Sequence, residues 1–102
     1  MAILTRFKKT ERDTPVAIDY PIENETVFSG HYAVRVSCPL GTPVEVSIDG
    51  GPWQACRESN GFFWFDWWPE KGGAHRISAR PVGSKTKKAP VRTCTVIQPH
   101  KN

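Results

Sequence analysis

The chain has 102 residues, of which 38% are apolar and 24% charged, and its formal net charge is +4. This length suits one domain and is too short for two independent hydrophobic cores. No apolar run reaches the roughly 18–20 residues of a membrane-spanning helix, and residues 1–4 are too few for a secretory signal, so a cytoplasmic protein without membrane segments is expected.

The two ends of the chain differ from its middle. Residues 1–14 carry a cluster of Lys and Arg with little hydrophobic periodicity, which predicts a flexible basic tail. Residues 15–98 hold all the periodic segments and form the predicted domain. Residues 99–102 are a short C-terminal tail.

The first part of the domain contains short segments that alternate between apolar and polar residues. Residues 16–20 form a predicted edge strand, because Pro21 interrupts them and proline is best tolerated at a sheet edge. After a turn at Asn24-Glu25-Thr26, residues 27–28 briefly continue this strand. Residues 32–38 alternate with a period of two, which is typical of a half-buried antiparallel strand.

The middle of the chain predicts a β-hairpin. Residues 44–49 alternate and lead into Asp49-Gly50-Gly51. Asp-Gly between alternating apolar residues is the strongest short-range hairpin signal. Residues 52–55 form the short return strand, and residues 57–61 are predicted to be a polar loop.

Residues 62–68 are the most aromatic part of the chain, and Asp66 is their only polar member. The alternation places Phe63, Phe65 and Trp67 in the core. The residues predicted on the opposite face are Phe62, Trp64, Asp66 and Trp68.

The last part of the domain adds two strands. Residues 75–80 alternate, with His75 on the inner face as a hydrogen-bonded core histidine. A lysine-rich loop covers residues 81–90, and residues 91–97 form the final strand. About seven short antiparallel strands separated by turns predict an all-β sandwich.

The order of turn and core residues resembles bacterial immunoglobulin-like and fibronectin-III-like domains. The residues that carry the resemblance are Val34-x-Val36, Val44-x-Val46-x-Ile48-Asp49-Gly50-Gly51-x-Trp53, Trp64-Phe65-x-Trp67 and Gly73-x-His75-x-Ile77-x-Ala79. The resemblance covers about residues 16–97 and implies an immunoglobulin-like β-sandwich, a fold that hosts many unrelated functions. The disulfide of antibody domains is missing, because the penultimate strand offers Cys38 no partner.

The sequence contains no motif that points to catalysis. Its acidic residues form no local pair, and it has neither a nucleophile elbow nor a phosphate-binding loop. The spacing of cysteine and histidine residues does not support a catalytic dyad. A protein that is not an enzyme and that uses no cofactor is therefore expected.

The three cysteines have two interpretations. In an immunoglobulin-like topology Cys38 and Cys94 approach the same end of the sandwich, with Cys56 near them, which would permit a redox pair or a metal site. Structural zinc sites use closely spaced cysteine pairs, and none occurs here. Small buried thiols are therefore the preferred interpretation, and no metal is expected.

The outward aromatic residues give the main functional hypothesis, because grouped exposed aromatic residues mark binding surfaces. We expect an interaction module that binds a protein partner, or a second copy of itself, through a sheet face or edge. The predicted contact residues are Trp53, Trp64 and Trp68, with Arg76 and Arg80 as rim charges. The alternatives are carbohydrate binding by the same tryptophans and a structural role in a larger assembly such as a phage particle.

Nucleic-acid binding is the less favoured use of the basic residues. Lys85, Lys87 and Lys88 lie in the predicted loop, near Arg76 and Arg80 on the neighbouring strand. Such a patch could contact phosphates in a salt-dependent way. The ten acidic residues interspersed along the chain argue for ordinary solvated side chains instead.

Overall fold

A computed structural model describes residues 16–38, 42–84 and 89–98 of the chain, and within these ranges nine strands form two sheets. The strands are β1 (Ala17–Tyr20), β2 (Glu25–Phe28), β3 (Tyr32–Ser37), β4 (Val44–Ile48), β5 (Gln54–Ala55), β6 (Arg57–Ser59), β7 (Phe62–Trp67), β8 (Gly73–Pro81) and β9 (Val91–Ile97). No helix long and apolar enough to span a membrane occurs in the described ranges.

The two sheets have the connectivity of an immunoglobulin-like sandwich. One sheet, here called the β1 sheet, has the order β1-β3-β7-β6, and the other, the β2 sheet, has the order β2-β9-β8-β4-β5. Placing β3, β7 and β6 opposite β4, β8 and β9 is the arrangement of that fold. The predicted fold class is confirmed.

The core lies between the sheets and is built from the inward residues of each alternating strand. Burying a Val or Ile side chain fully contributes roughly 1.5–3 kcal/mol. The buried apolar residues are Ile18, Val27, Val34, Val36, Cys38, Val44, Val46, Phe63, Trp67, Ile77, Ala79, Cys94 and Val96.

The aromatic strand β7 has the predicted facing. Phe63 and Trp67 are 4% and 7% exposed, and Phe65 packs against the core from a half-buried position. Phe62 and Trp64 are only half-buried and Asp66 is exposed. The alternation therefore correctly separates the core residues of β7 from its outward residues.

The predicted hairpin at Asp49-Gly50 also forms. Asp49 and Gly50 have φ values of 53° and 75°, the left-handed pair that a tight hairpin turn requires. Beyond the turn, Glu45 pairs with Ala55 and Val46 with Gln54, so β4 and β5 are antiparallel neighbours. The ordered return strand is shorter than predicted.

Residues 27–28 do not continue the first strand within its sheet. They belong to β2, which lies in the other sheet and runs parallel to β9, so the strands are not all antiparallel. The backbone N–H of Asn24 donates to the carbonyl of Thr93 at 2.7 Å, and the Thr93 N–H donates to the Glu23 carboxylate at 3.0 Å. Because of these bonds, the chain crosses from the β1 sheet to β9 of the β2 sheet directly after Pro21.

Residues 57–61 are not a loop. Residues 57–59 form β6, and Asn60 and Gly61, with φ values of 55° and 82°, make a two-residue turn into β7. Asn-Gly is a strong hairpin signal, but the residues of β6 are all polar and show no apolar alternation that would predict a strand. With β2 and β6 counted, the described residues hold nine strands where about seven were predicted.

Several predictions fall outside the residues that the structure describes. They are the two tails, with their boundaries at residues 14/15 and 98/99, and the loop lysines Lys85, Lys87 and Lys88.

Candidate interaction surface

The outer face of the β1 sheet carries a row of large side chains that crosses all its strands. The register pairs Tyr20 with Arg35, Arg35 with Trp64, and Trp64 with Arg57. Paired residues in a sheet project to the same side. Four strands thus bring together side chains that lie far apart in the sequence.

A β-bulge in β1 turns the Tyr20 side chain toward this row. The register shifts between Ile18 and Tyr20, so one residue of β1 is left over and two adjacent side chains, Asp19 and Tyr20, face outward. Ile18 meanwhile stays buried at 2% exposure. Without the bulge, Tyr20 would follow the strict alternation and point toward the core.

Arg35 is held between two aromatic rings. Its guanidinium carbon lies 4.0 Å from the ring centre of Phe62 and 4.9 Å from that of Tyr20, both within cation–π range. Its Nε–H donates to the Asp19 carboxylate at 3.2 Å, and the Ser37 hydroxyl donates to the same oxygen. These contacts fix the long side chain in one position and balance its charge.

Trp64 is anchored beside this group. Its indole N–H donates to the carbonyl of Ser59 at 3.0 Å, across the tight β6–β7 turn. Its ring meets that of Phe62 edge-on, with centroids 6.3 Å apart. Trp64 is therefore half-buried and held in one orientation by these two contacts.

A charged cluster continues the surface toward the end of β7. Asp66 accepts hydrogen bonds from Arg57 Nε–H at 2.9 Å and Nη2–H at 3.3 Å, and its Oδ1 lies 2.8 Å from His31 Nε2. The bonds from Arg57, then the contact with His31, lower the pKa of Asp66 to about 2. Trp68 packs on the His31 ring at 4.8 Å and is 63% exposed. We call the outward group of Tyr20, Arg35, Phe62, Trp64 and Trp68 the aromatic face.

Trp53, Arg76 and Arg80 do not belong to the aromatic face. Arg80 projects outward from β8 in the β2 sheet, where its guanidinium carbon lies 4.0 Å from the Trp53 ring centre and its Nε–H donates to Glu45 at 2.6 Å. Arg76 lies four residues before Arg80 on β8, so its side chain projects from the same outer surface, and it is exposed. The predicted contact residues therefore divide between opposite sides of the sandwich.

His75 occupies the predicted inner position, with 14% of its side chain exposed and its ring against Trp67 at 5.5 Å. Nδ1 lies 2.6 Å from an Asp49 carboxylate oxygen and Nε2 lies 2.8 Å from the Lys71 carbonyl. Both neighbours are acceptors, so both ring nitrogens must carry a proton to satisfy them. Burial alone would lower the pKa of His75, but the bonds to Asp49 and Lys71 raise it.

All three thiols are free: Cys38 and Cys94 are buried and Cys56 is half-buried. Burial, with a smaller contribution from nearby carboxylates, raises the pKa of Cys56 and of Cys94 to about 11. Both therefore stay protonated near neutral pH and are poor nucleophiles. No group of three or more His, Cys, Asp or Glu side chains suited to a metal ion occurs in the part of the chain that the structure describes.

Sequence reasoning missed Tyr20, Arg35 and His31 as members of this surface. The alternation of β3 places Arg35 on the outer face, so its membership of this surface could have been predicted from the sequence. The position of Tyr20 depends on a bulge, and the position of His31 depends on a turn. Neither feature changes the hydrophobic periodicity of the sequence, so neither could be predicted from it. The arrangement can bind, because it presents rigid aromatic and charged groups.

Comparisons with known proteins agree on the fold. No protein-family model and no curated protein matches the sequence. Among solved structures, the fibronectin(III)-like modules of CbhA from Clostridium thermocellum are 17% identical with a TM-score of 0.65, covering 83% of this chain and 99% of that chain. This chain therefore corresponds to nearly the whole of that structure.

Two other similar structures are longer proteins. The endo-β-1,4-mannanase from Thermotoga petrophila is 12% identical with a TM-score of 0.65, covering 82% of this chain and 20% of that chain. A crystallised engineered protein is 20% identical with a TM-score of 0.63, covering 80% of this chain and 20% of that chain. At these identities the similarity shows a shared immunoglobulin-like and fibronectin-III-like sandwich.

Proposed function

We propose that this protein is a non-catalytic interaction module that binds a protein partner through the aromatic face. The observation that carries the proposal is the row in which Arg35 lies between Tyr20 and Phe62, with Trp64 beside it. Self-association through the same face is a second form of this proposal, and it is separated from the first by experiment.

The composition of the aromatic face supports a protein partner. Trp, Tyr and Arg are the residues that most often dominate the energy of protein interfaces. Trp68 and Tyr20 are 63% and 47% exposed, so they can lose solvent contact on binding. Their neighbours are already held by hydrogen bonds and ring contacts, which lowers the conformational entropy lost on association.

Trp68→Ala is the direct test, because an exposed side chain can be removed with little effect on folding. We expect loss of binding by about 30-fold or more, which corresponds to about 2 kcal/mol. Proteins retained from a lysate by the immobilised chain would be quantified by mass spectrometry, and each candidate would then be measured as a purified pair.

Trp53→Ala is the matched control, since it removes a tryptophan from the opposite side of the sandwich. A partner that binds the wild-type and Trp53→Ala proteins equally, and fails to bind Trp68→Ala, supports the proposal. Equal losses for both variants, or a loss with Trp53→Ala alone, would contradict it. Sedimentation of the isolated protein reports whether a second copy is the partner.

Carbohydrate binding by the tryptophans is the alternative. Sugar stacking uses flat exposed rings. Of the three predicted tryptophans Trp68 is exposed, Trp53 and Trp64 are half-buried, and Trp53 lies on the opposite side of the sandwich from the other two. Titration with soluble α- and β-glucans, followed by tryptophan fluorescence, separates the two functions. A structural role in a larger, phage-like assembly would instead appear as concentration-dependent polymerisation.

A cytoplasmic location belongs to the same proposal. It is supported by the three free thiols, because cysteines stay reduced in the cytosol and tend to pair in oxidising compartments. Fractionation of the cells that produce the protein tests it directly.

A further inference from the structure

The crossing of the chain from β1 to β2 leaves one side of the sandwich without a further strand among residues 16–38, 42–84 and 89–98. β1 pairs with β3 only from Arg35 onward, while the preceding residues of β3 pair with β7 alone among the described strands. Where β1 would have continued, the chain has already moved to the β2 sheet. A groove of about 290 Å³ occupies this position, and we call it the edge groove; it is lined by Glu25, Thr26, Val27, Phe28, Ser29, His31 and Tyr32.

The backbone of β2 faces the edge groove with hydrogen-bonding groups that no other described strand uses. Phe28 is paired with Ile97, and the N–H of Ser29 donates to the Ile97 carbonyl at 2.9 Å. In a parallel ladder, residues that bond to the neighbour alternate with residues that point away. Since Ser29 and Val27 bond toward β9, the N–H and C=O groups of Thr26 and Phe28 point to the open side.

The other sheet edges carry features that block strand addition. On the β1 edge, the Arg92 guanidinium donates to the carbonyls of Ile18 at 2.5 Å and of Pro21 at 3.1 Å. β6 is short and bears the charges of Arg57 and Glu58, and β5 has only two residues and follows a proline. Charges, prolines and short strands are the usual protections of an edge. β2 instead presents Phe28 with 63% exposure.

The side chains beside β2 define what could pair with it. On the inner side the Glu25 carboxylate accepts from the Tyr32 hydroxyl at 3.1 Å and from the Ile22 N–H at 2.9 Å. Among the residues that the structure describes, no lysine or arginine lines the edge groove. On the outer side Phe28 adjoins Ile97, which is 40% exposed. A carboxylate on one side and an apolar pair on the other match a strand that alternates basic and apolar residues.

We propose that the open edge of β2 binds an extended peptide segment of a partner protein, which adds to the β2 sheet as a further strand. Basic side chains of the segment face Glu25, and apolar side chains lie beside Phe28. The backbone of Thr26 and Phe28 supplies the hydrogen bonds, as in other cases of strand addition.

A second copy of the chain fits this edge less well. Four residues span only about 13 Å, and a stable dimer buries on the order of 1,200–2,000 Å² in total. A second β2 would also bring no basic residue to Glu25, because its sequence is Glu-Thr-Val-Phe. A short peptide needs neither a large area nor two-fold symmetry.

The test uses a blocked synthetic heptapeptide of alternating Val and Lys, titrated to about 1 mM against the full isotope-labelled chain and followed by NMR. We expect saturable shifts of the Thr26 and Phe28 amides. A peptide with Glu in place of Lys should bind at least about tenfold more weakly, since it brings like charge to Glu25. N-methylation of alternate peptide amides should abolish binding, because it removes the donors.

Variants of the protein locate the site. Thr26→Pro removes an N–H that points away from β9 and leaves the ladder intact, and Phe28→Lys protects the edge with a charge. Each should weaken peptide binding at least about tenfold. Val82→Lys is the matched control, since it changes an apolar residue of 49% exposure in a turn outside the edge groove. If Thr26→Pro perturbs folding, Phe28→Lys alone decides the question.

Three outcomes would overturn the proposal. They are the absence of saturable binding by any of the peptides, shifts that map to β5 or β6, and shifts of Thr26 and Phe28 that depend on protein concentration without peptide. The last outcome would assign the edge to a second copy. Trp64→Ala should leave peptide binding unchanged, so this test and that of the aromatic face can fail separately.

Discussion

Replacing His75 with glutamine should destabilise the fold most strongly in mildly acidic solution. The imidazole has acceptors at both ring nitrogens, an Asp49 carboxylate at 2.6 Å and the Lys71 carbonyl at 2.8 Å. Only the doubly protonated ring donates to both. Glutamine can keep one of these bonds but carries no charge.

The expected loss is about 1 kcal/mol. A hydrogen bond to a charged group contributes about 1.5–3 kcal/mol, but the Asp49 side chain is 46% exposed, against 14% for His75. Solvent screening reduces the contribution of such a half-exposed pair. For a domain of this size, 1 kcal/mol corresponds to a change in Tm of about 4–8 °C.

The two pKa shifts fix the direction of the pH dependence. Because the pKa of His75 is raised, its contribution is fully present below the ordinary value of about 6.5 and is lost as the pH rises through the folded value. Burial opposes the shift of Asp49, but the bonds from the Arg76 N–H and from His75 lower its pKa. Its contribution is therefore lost as the pH falls below about 4.

Thermal unfolding of the wild type and of His75→Gln between pH 4 and pH 10 measures this difference. We expect the gap in Tm to be largest at about pH 5–6 and to shrink at alkaline pH. His31→Gln is the control, because His31 is exposed and, among the described residues, has an acidic neighbour at Nε2 alone. A gap that stays constant from pH 5 to pH 10 would show that His75 is neutral and donates to only one of its two neighbouring acceptors.

Three further predictions concern the core, the β1 edge and the thiols. Trp67→Ala should cost about 3–5 kcal/mol in denaturant unfolding, since it empties a large buried site. Arg92→Leu removes the guanidinium that donates to the carbonyls of Ile18 and Pro21, so we expect a loss of about 1–3 kcal/mol in the free energy of unfolding and new self-association in sedimentation. A thiol reagent should modify Cys56 slowly in the native protein, and Cys38 and Cys94 only after unfolding; rapid reaction of all three would contradict the buried assignment.

The features predicted correctly are those that local sequence determines. The facing of β7 follows from a period of two with Asp66 as marker, and the β4–β5 turn follows from the tolerance of Asp49 and Gly50 for positive φ. The inner position of His75 follows from the alternation of β8. Each of these depends on residues within one strand or one turn.

The features missed depend on pairing between distant segments. No local sequence feature shows whether β2 continues β1 or lies beside β9. The hydrogen bonds that Thr93 makes with Asn24 and Glu23 place it beside β9. Trp53 follows a proline and has no alternating partners to set its facing, so its position is determined by Arg80 on another strand. The grouping of Trp53 with Trp64 failed for that reason.

The aromatic face and the edge groove share a structural cause, which makes them testable together. The bulge that turns Tyr20 outward immediately precedes the crossing that opens the edge. Arg92 and Thr93 hold that crossing through their bonds to the segment after β1. A change that loosens the crossing should therefore alter binding at both surfaces, whereas Trp68→Ala should affect the face and Phe28→Lys the edge. If Arg92→Leu destabilised the fold but left binding at the aromatic face and at the edge groove unchanged, the crossing would contribute to folding alone.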